Sequence, residues 1–152
     1  MVADSGIFVN KKGRLGEILL NRKMVVRKQL SRALNIQKKD KRFIGEILTT
    51  LGFVSEKDVV AALSAQCKLP YIAIDQYDIK QEVLNIIPRQ IAFKYCVVPL
   101  DCVGNILSIA MSNPLDFSVL QELKQDTSCE IVPFISTRME IDHALNNLYG
   151  GN

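Results

Sequence analysis

The side chains able to do chemistry in this 152-residue chain are few, and most of them stand alone. The only histidine, His143, has no acidic or nucleophilic residue at a telling spacing, which gives it a surface or half-buried structural role rather than a catalytic one. Asp75, Asp78 and Asp116 have no base, metal ligand or nucleophile arranged with them. Cys67, Cys96, Cys102 and Cys129 make no C-x-x-C pair, so no metal site is expected and they read as reduced, mostly buried thiols. No G-x-x-x-x-G-K-[ST] occurs in these residues, so there is no Walker A loop to cradle a triphosphate, and no enzymatic activity is expected. What remains is binding chemistry, centred on two glutamines, Gln37 and Gln66, spaced 29 residues apart.

Each glutamine closes a copy of one helical pattern. Residues 14–37, RLGEILLNRKMVVRKQLSRALNIQ, superpose without a gap on residues 43–66, FIGEILTTLGFVSEKDVVAALSAQ. Gly16, Glu17, Ile18, Leu19, Val25, Lys28, Ala33, Leu34 and Gln37 meet identical residues 29 positions on, and Leu15 and Leu30 meet Ile44 and Val59. Leu15, Ile18 and Leu19, then Leu30, Ala33 and Leu34, recur at helical spacing, so each copy predicts a short helix, a turn and a second helix. Gly52 supplies the second turn, and Ser55 with Asp58 an N-cap. Gln37 and Gln66 continue the apolar stripe, where an amide needs a partner: either a carbonyl at a frayed last turn or a ligand. The glycine opening each copy permits close approach to the backbone.

Charge divides the chain as well. Residues 1–66 carry 13 Lys and Arg against 6 acids, and residues 67–152 carry 6 against 10, so the first module is suited to meet an anion. Phe8, Phe43 and Phe53 are the only aromatics of that half, and no helix-turn-helix or RNA-binding signature is present, so a nucleic-acid polymer is not the expected partner. No apolar run is long enough for a membrane span or a signal peptide, so no direct membrane insertion is expected and the localisation reads as cytoplasmic.

Past residue 67 the texture changes to alternating strand and helix signals. LPYIAID (69–75) predicts a Pro-initiated strand, and 81–95 two short helices broken at Pro88. Residues 96–101 predict a strand turning at Gly104 into a second strand over 105–111. A helix opening on a turn over 113–127, a strand over 129–136 and a Thr-capped helix over 137–150 complete the pattern. The expected fold is α+β: an N-terminal tail (1–11), tandem helical hairpins of four short helices (12–68), and a small α/β sandwich subdomain (69–150).

The doubled R-L-G-x-x-L … L-x-x-A-L-x-x-Q pattern, followed by LPYIAID, VVPL, ILSIAMSNPLD and a closing LYG, resembles the MshEN domain, the N-terminal domain of type II secretion and type IV pilus assembly ATPases. The resemblance covers about residues 12–150. It implies a regulatory receptor domain for cyclic di-GMP in a secretion, pilus or motility system, without ATPase activity of its own. Its alternative is a ligand-free adaptor that docks on a secretion or pilus assembly protein. Carried over by position, motif one would bind through Arg14, Leu15, Gly16, Leu19, Leu30, Leu34 and Gln37. Motif two would use Phe43, Ile44, Gly45, Leu48, Val59, Leu63 and Gln66, with Gly52 at its turn. The chemistry suits the ligand: a guanidinium such as Arg14 takes guanine or phosphate bidentately, and leucines lie against base and sugar.

This chain departs from the family pattern at two positions. Phe43 stands where motif two has arginine, and Lys23 where motif one has a turn glycine. A non-glycine residue in a left-handed turn costs about 1 kcal/mol. Phe43 removes a forked donor; it either stacks on guanine or belongs to the core of the second hairpin, and Arg42 replaces the lost charge only if the first helical turn is loose.

Overall fold

The computed structural model describes residues 15–40 and 42–150 and divides the chain into two compact units between Lys68 and Leu69. In the first unit, α1 (Leu15–Asn21) and α2 (Arg27–Gln37) form one hairpin, and α3 (Ile44–Thr50) and α4 (Glu56–Cys67) the other. Both pairs start 29 residues apart, as the repeat predicts. Each first helix ends in a Schellman turn. Met24 N–H donates to Leu19 O at 2.9 Å and Lys23 N–H to Leu20 O at 3.0 Å; Phe53 donates to Leu48 O and Gly52 to Thr49 O, both at 3.0 Å. The residue after the helix is left-handed in both, Lys23 at φ 61 and Gly52 at φ 80.

The two second helices begin differently. Ser55 Oγ accepts from Asp58 N–H at 3.0 Å and Asp58 Oδ2 accepts from Ser55 N–H at 3.4 Å, a complete capping box. At the matching place α2 has Val26, whose side chain cannot accept; only Gln29 Oε1 reaches back, to Val26 N–H, at 2.9 Å.

The core of this unit is Ile18, Leu19, Val25, Leu30 and Ala33 with their repeat mates Ile47, Leu48, Val54, Ala62 and Leu63. The helices pack crosswise: α1 against α4 and α2 against α3, with α1 and α3 meeting in the middle. Exchanging the hairpins maps the first contact onto the second, so the unit has a pseudo-two-fold axis between α1 and α3.

In the second unit, residues 69–75 do not form the expected strand. They make a single parallel bridge, Tyr71 with Ile135, through Ile72 N–H to Ile135 O (2.9 Å) and Ile135 N–H to Pro70 O (3.0 Å), and then turn into a 3-10 helix, Ile74–Gln76. Proline cannot donate and the turn ends the extended run at once, so a ladder cannot propagate. Short helices α5 (Gln81–Leu84) and α6 (Arg89–Tyr95) flank Pro88, the N-cap of α6.

Strands β1 (Val97–Val103) and β2 (Ile106–Met111) form an antiparallel hairpin through Gly104, at φ 63. Helix α7 (Phe117–Thr127) then crosses to β3 (Glu130–Ile135), parallel to β2, giving the order β1-β2-β3. Thr137 caps α8 (Arg138–Tyr149) in a capping box with Glu140, whose N–H and carboxylate both bond Thr137 at 3.0 Å. Helices α5, α6 and α8 cover β1, α8 also reaches β2, and α7 covers β3.

Cys67 is buried, but Cys96, Cys102 and Cys129 are only half-buried, because they lie at the end of α6, in the exposed half of β1 and before β3, where the core thins. His143 is exposed on α8, with Asn147 Nδ2 3.3 Å from its Nδ1.

Candidate functional site

The two repeat glycines lie in α1 and α3, the helices that meet at the pseudo-two-fold axis of the first unit. Gly16 and Gly45 are buried in α1 and α3, and a Cβ on either would lie 2.8 Å from a leucine methyl: Leu30 Cδ1 for Gly16, Leu15 Cδ2 for Gly45. A Cβ on Gly45 would also lie 3.5 Å from Val59 Cγ1, the repeat mate of the Leu30 contact. In the folded chain, then, these glycines admit the facing helices. Their closeness to backbone is used by Leu30, Val59 and Leu15.

Of the leucines expected to line a ligand, Leu19, Leu48 and Leu63 are fully buried, and Leu15 and Leu30 nearly so. The repeat breaks most widely at one pair: Leu34 is 44% exposed and Leu63 is 1% exposed. Ile44 and Val59 are half-buried. Among the described candidate residues, Leu34, Ile44, Val59, Phe43 and the two glutamines keep exposed surface.

The glutamines part company as well. Gln37 is half-buried and its Nε2 donates to Arg42 O at 3.2 Å, across the link between the hairpins. Gln66 does not continue a buried stripe; it is exposed, because Leu63 and Cys67 take the inner side of α4.

Phe43 is 42% exposed and sits at the N-cap of α3 with extended backbone, φ −66 and ψ 150. It is not a core residue. Arg42 therefore precedes the helix, and no rotation by a helical step separates it from its neighbour. Its guanidinium is already engaged: Nε lies 2.9 Å and Nη2 2.8 Å from Asp40 Oδ2, and Nη1 3.3 Å from Thr50 Oγ1. The hydrogen bond from the Arg42 side chain, with that from its backbone N–H, lowers the Asp40 pKa, and Asp40 in turn raises that of Arg42. The Asp40, Arg42 and Thr50 cluster escaped sequence reasoning, apart from the position of Arg42 beside the mismatch. A carboxylate two residues before an arginine in a short link was the available signal. Arg14, the repeat mate of Phe43, lies outside the described residues, as does the expected N-terminal tail. Among the described residues, no group of three His, Cys, Asp or Glu side chains could hold a metal ion.

Set against known proteins, residues 67–152 match the MshEN domain, more than half of the chain. The chain belongs to the MshEN domain family. The match falls on the second unit, and likenesses to individual proteins extend it over the helical repeat. The chain is 29% identical over 137 residues, 90% of its length, to the type IV pilus assembly ATPase PilB of Myxococcus xanthus, and it spans about a quarter of that protein, 24%. It superposes on the structure of MshE with cdg at a TM-score of 0.77 and 28% identity, covering 90% of this chain and 99% of that one. The N-terminal domain of XpsE shares the fold at a TM-score of 0.77 and 22% identity, covering 90% of this chain and 94% of that one. The MshEN fold is thus α+β, eight helices and a three-stranded sheet among the described residues. No helix among the described residues is long and apolar enough to cross a membrane.

Proposed function

We propose that the α1–α4 unit of this MshEN domain binds cyclic di-GMP, and that the bound state regulates a longer pilus or secretion ATPase. The observation that carries the reading is the pseudo-two-fold placement of the doubled residues, which suits a ligand that is itself two-fold. The likeness to MshE with cdg over 99% of that chain supports it.

In this reading Leu34, Ile44 and Val59 give apolar surface to base and ribose, Gln37 and Gln66 bond guanine edges, and Phe43 stacks on one guanine face. Arg14 supplies the forked cation of the first half-site. Gln37 exchanges its bond to Arg42 O for the ligand, so binding reorganises the link between the hairpins.

Phe43 in place of arginine favours a second reading, a domain that has lost the nucleotide and docks on a machinery protein regardless of it. Calorimetric titration with cyclic di-GMP, GMP and cyclic di-AMP separates the two. The binding reading expects one cyclic di-GMP per chain and at least about tenfold weaker binding of the others, the scale of one lost hydrogen-bond set. A folded chain that gives no saturable binding leaves the docking reading standing.

A further inference from the structure

The internal repeat supplies its own control for one surface, the turn from α1 to α2. Its backbone matches the turn from α3 to α4 bond for bond, yet the side chains differ at the places where local stability is decided. The second copy has glycine at the left-handed position, serine at the N-cap, and Glu56 and Asp58 in the first helical turn, each the locally favourable choice. The first copy has Lys23, Val26, Arg27 and Gln29 in those places. A lysine at φ 61 is strained, valine caps nothing, and Arg27, where the second copy has Glu56, sets positive charge on the positive end of α2.

Three of the four exchanges work against the fold, while Gln29 keeps the reach-back bond to the N-cap N–H at 2.9 Å; with Arg22 and the repeated Lys28 they build a basic surface with an apolar tip. Arg22, Lys23, Arg27 and Lys28 are all exposed, and Val26 among them is 60% exposed. Residues 18–39 contain seven Lys and Arg and no acid. Among the described residues, none of these four cations has a salt bridge. Local rules broken together in one place mark a surface kept for a contact.

We propose that the α1–α2 turn docks on an anionic bilayer surface, with Arg22, Lys23, Arg27 and Lys28 at the lipid phosphates and Val26 dipping into the headgroup boundary. Cations around a single exposed aliphatic side chain complement a charged layer with apolar material just beneath it. A nucleic-acid strand is the poorer fit: it calls for stacking aromatics, and residues 18–39 contain none. The proposal is independent of cyclic di-GMP binding, since none of these residues belongs to that candidate site.

The test transplants the second turn into the first: Lys23→Gly, Val26→Ser and Arg27→Glu together. Co-sedimentation with phosphatidylcholine vesicles, with and without about a third phosphatidylglycerol, reads binding, and a melting curve reads the fold. The native chain is expected to sediment only with the anionic vesicles and to be released by salt. The triple variant is expected to melt higher and bind at least about tenfold more weakly. Arg22→Gln with Lys28→Gln, at two exposed positions, gives the same readout if the triple variant does not fold. No sedimentation of the native chain, undiminished sedimentation of the folded variants, or binding to oligonucleotides without binding to vesicles overturns the proposal.

Discussion

Lys23 and Gly52, 29 residues apart, occupy the same left-handed turn, at φ 61 and φ 80, and each donates its N–H at 3.0 Å to the carbonyl three residues before it. A turn geometry that sequence reading expected from glycine is thus kept by a lysine, and the strain is local. Lys23→Gly should stabilise the chain by about 1 kcal/mol, and Gly52→Ala should destabilise it by about as much, although a Cβ at Gly52 meets nothing within 4 Å. Urea unfolding of the two variants checks both signs. Equal stability of all three proteins would mean that the turn relaxes.

The helix contact at Gly16 carries a second expectation. Gly16→Ala brings a Cβ to within 2.8 Å of Leu30 Cδ1, so overpacking should outweigh the gain in helix propensity and cost about 1 kcal/mol net. The second copy shows the remedy, because Val59 leaves 3.5 Å at Gly45. Gly16→Ala combined with Leu30→Val should therefore be less destabilised than the sum of the single changes by about 0.5 kcal/mol or more, measured in a double-mutant cycle.

Alkaline pH tests the second unit. Tyr71 donates its hydroxyl to the Glu140 carboxylate, and that hydrogen bond pushes its pKa up from 10.0 to about 12. The folded chain holds the proton that the unfolded chain gives up, so this contribution is fully present below pH 10 and is lost as pH rises through about 12. Tyr149, pushed up to about 12 by burial and donating to Leu84 O and Ile87 O, declines over the same window. Tyr71→Phe should remove part of the loss of stability between those pH values and leave the share of Tyr149. An unchanged slope in the variant would assign the whole decline elsewhere.

Much of the fold was legible because periodicity and punctuation agree. Thr137, Ser55, Pro88 and Gly104 end or start elements where their chemistry says they should, and the repeat placed four helices in register. The tract over 69–75 misled because extended, β-prone residues do not reveal whether a neighbour offers more than one bridge. The candidate site was less legible. Identity between copies says nothing about what packs outside each copy, so Leu34 and Leu63, alike in sequence, differ wholly in exposure. Gln37 found its partner in a backbone carbonyl, Arg42 O, which has no sequence signature.

Exposure of Phe43 sharpens the test of the mismatch with Arg14. Since Phe43 is not in the core, Phe43→Arg buries no charge and should leave stability within about 0.5 kcal/mol. If the second half-site lacks only a cation, the variant should bind cyclic di-GMP more tightly by about 1 to 3 kcal/mol, less so as salt rises. If Phe43 stacks on guanine, the folded variant should bind less well, and calorimetry distinguishes the two.

If both repeats form one site for a two-fold nucleotide, amide chemical-shift mapping during a cyclic di-GMP titration reads both halves at once. Saturable shifts are expected at matched positions of both hairpins, around Gly16 and Gly45 and around Gln37 and Gln66, with Phe43 among them and the β1–β2 hairpin unmoved. Shifts confined to one hairpin, or to the sheet unit, or none at ligand excess, would contradict it.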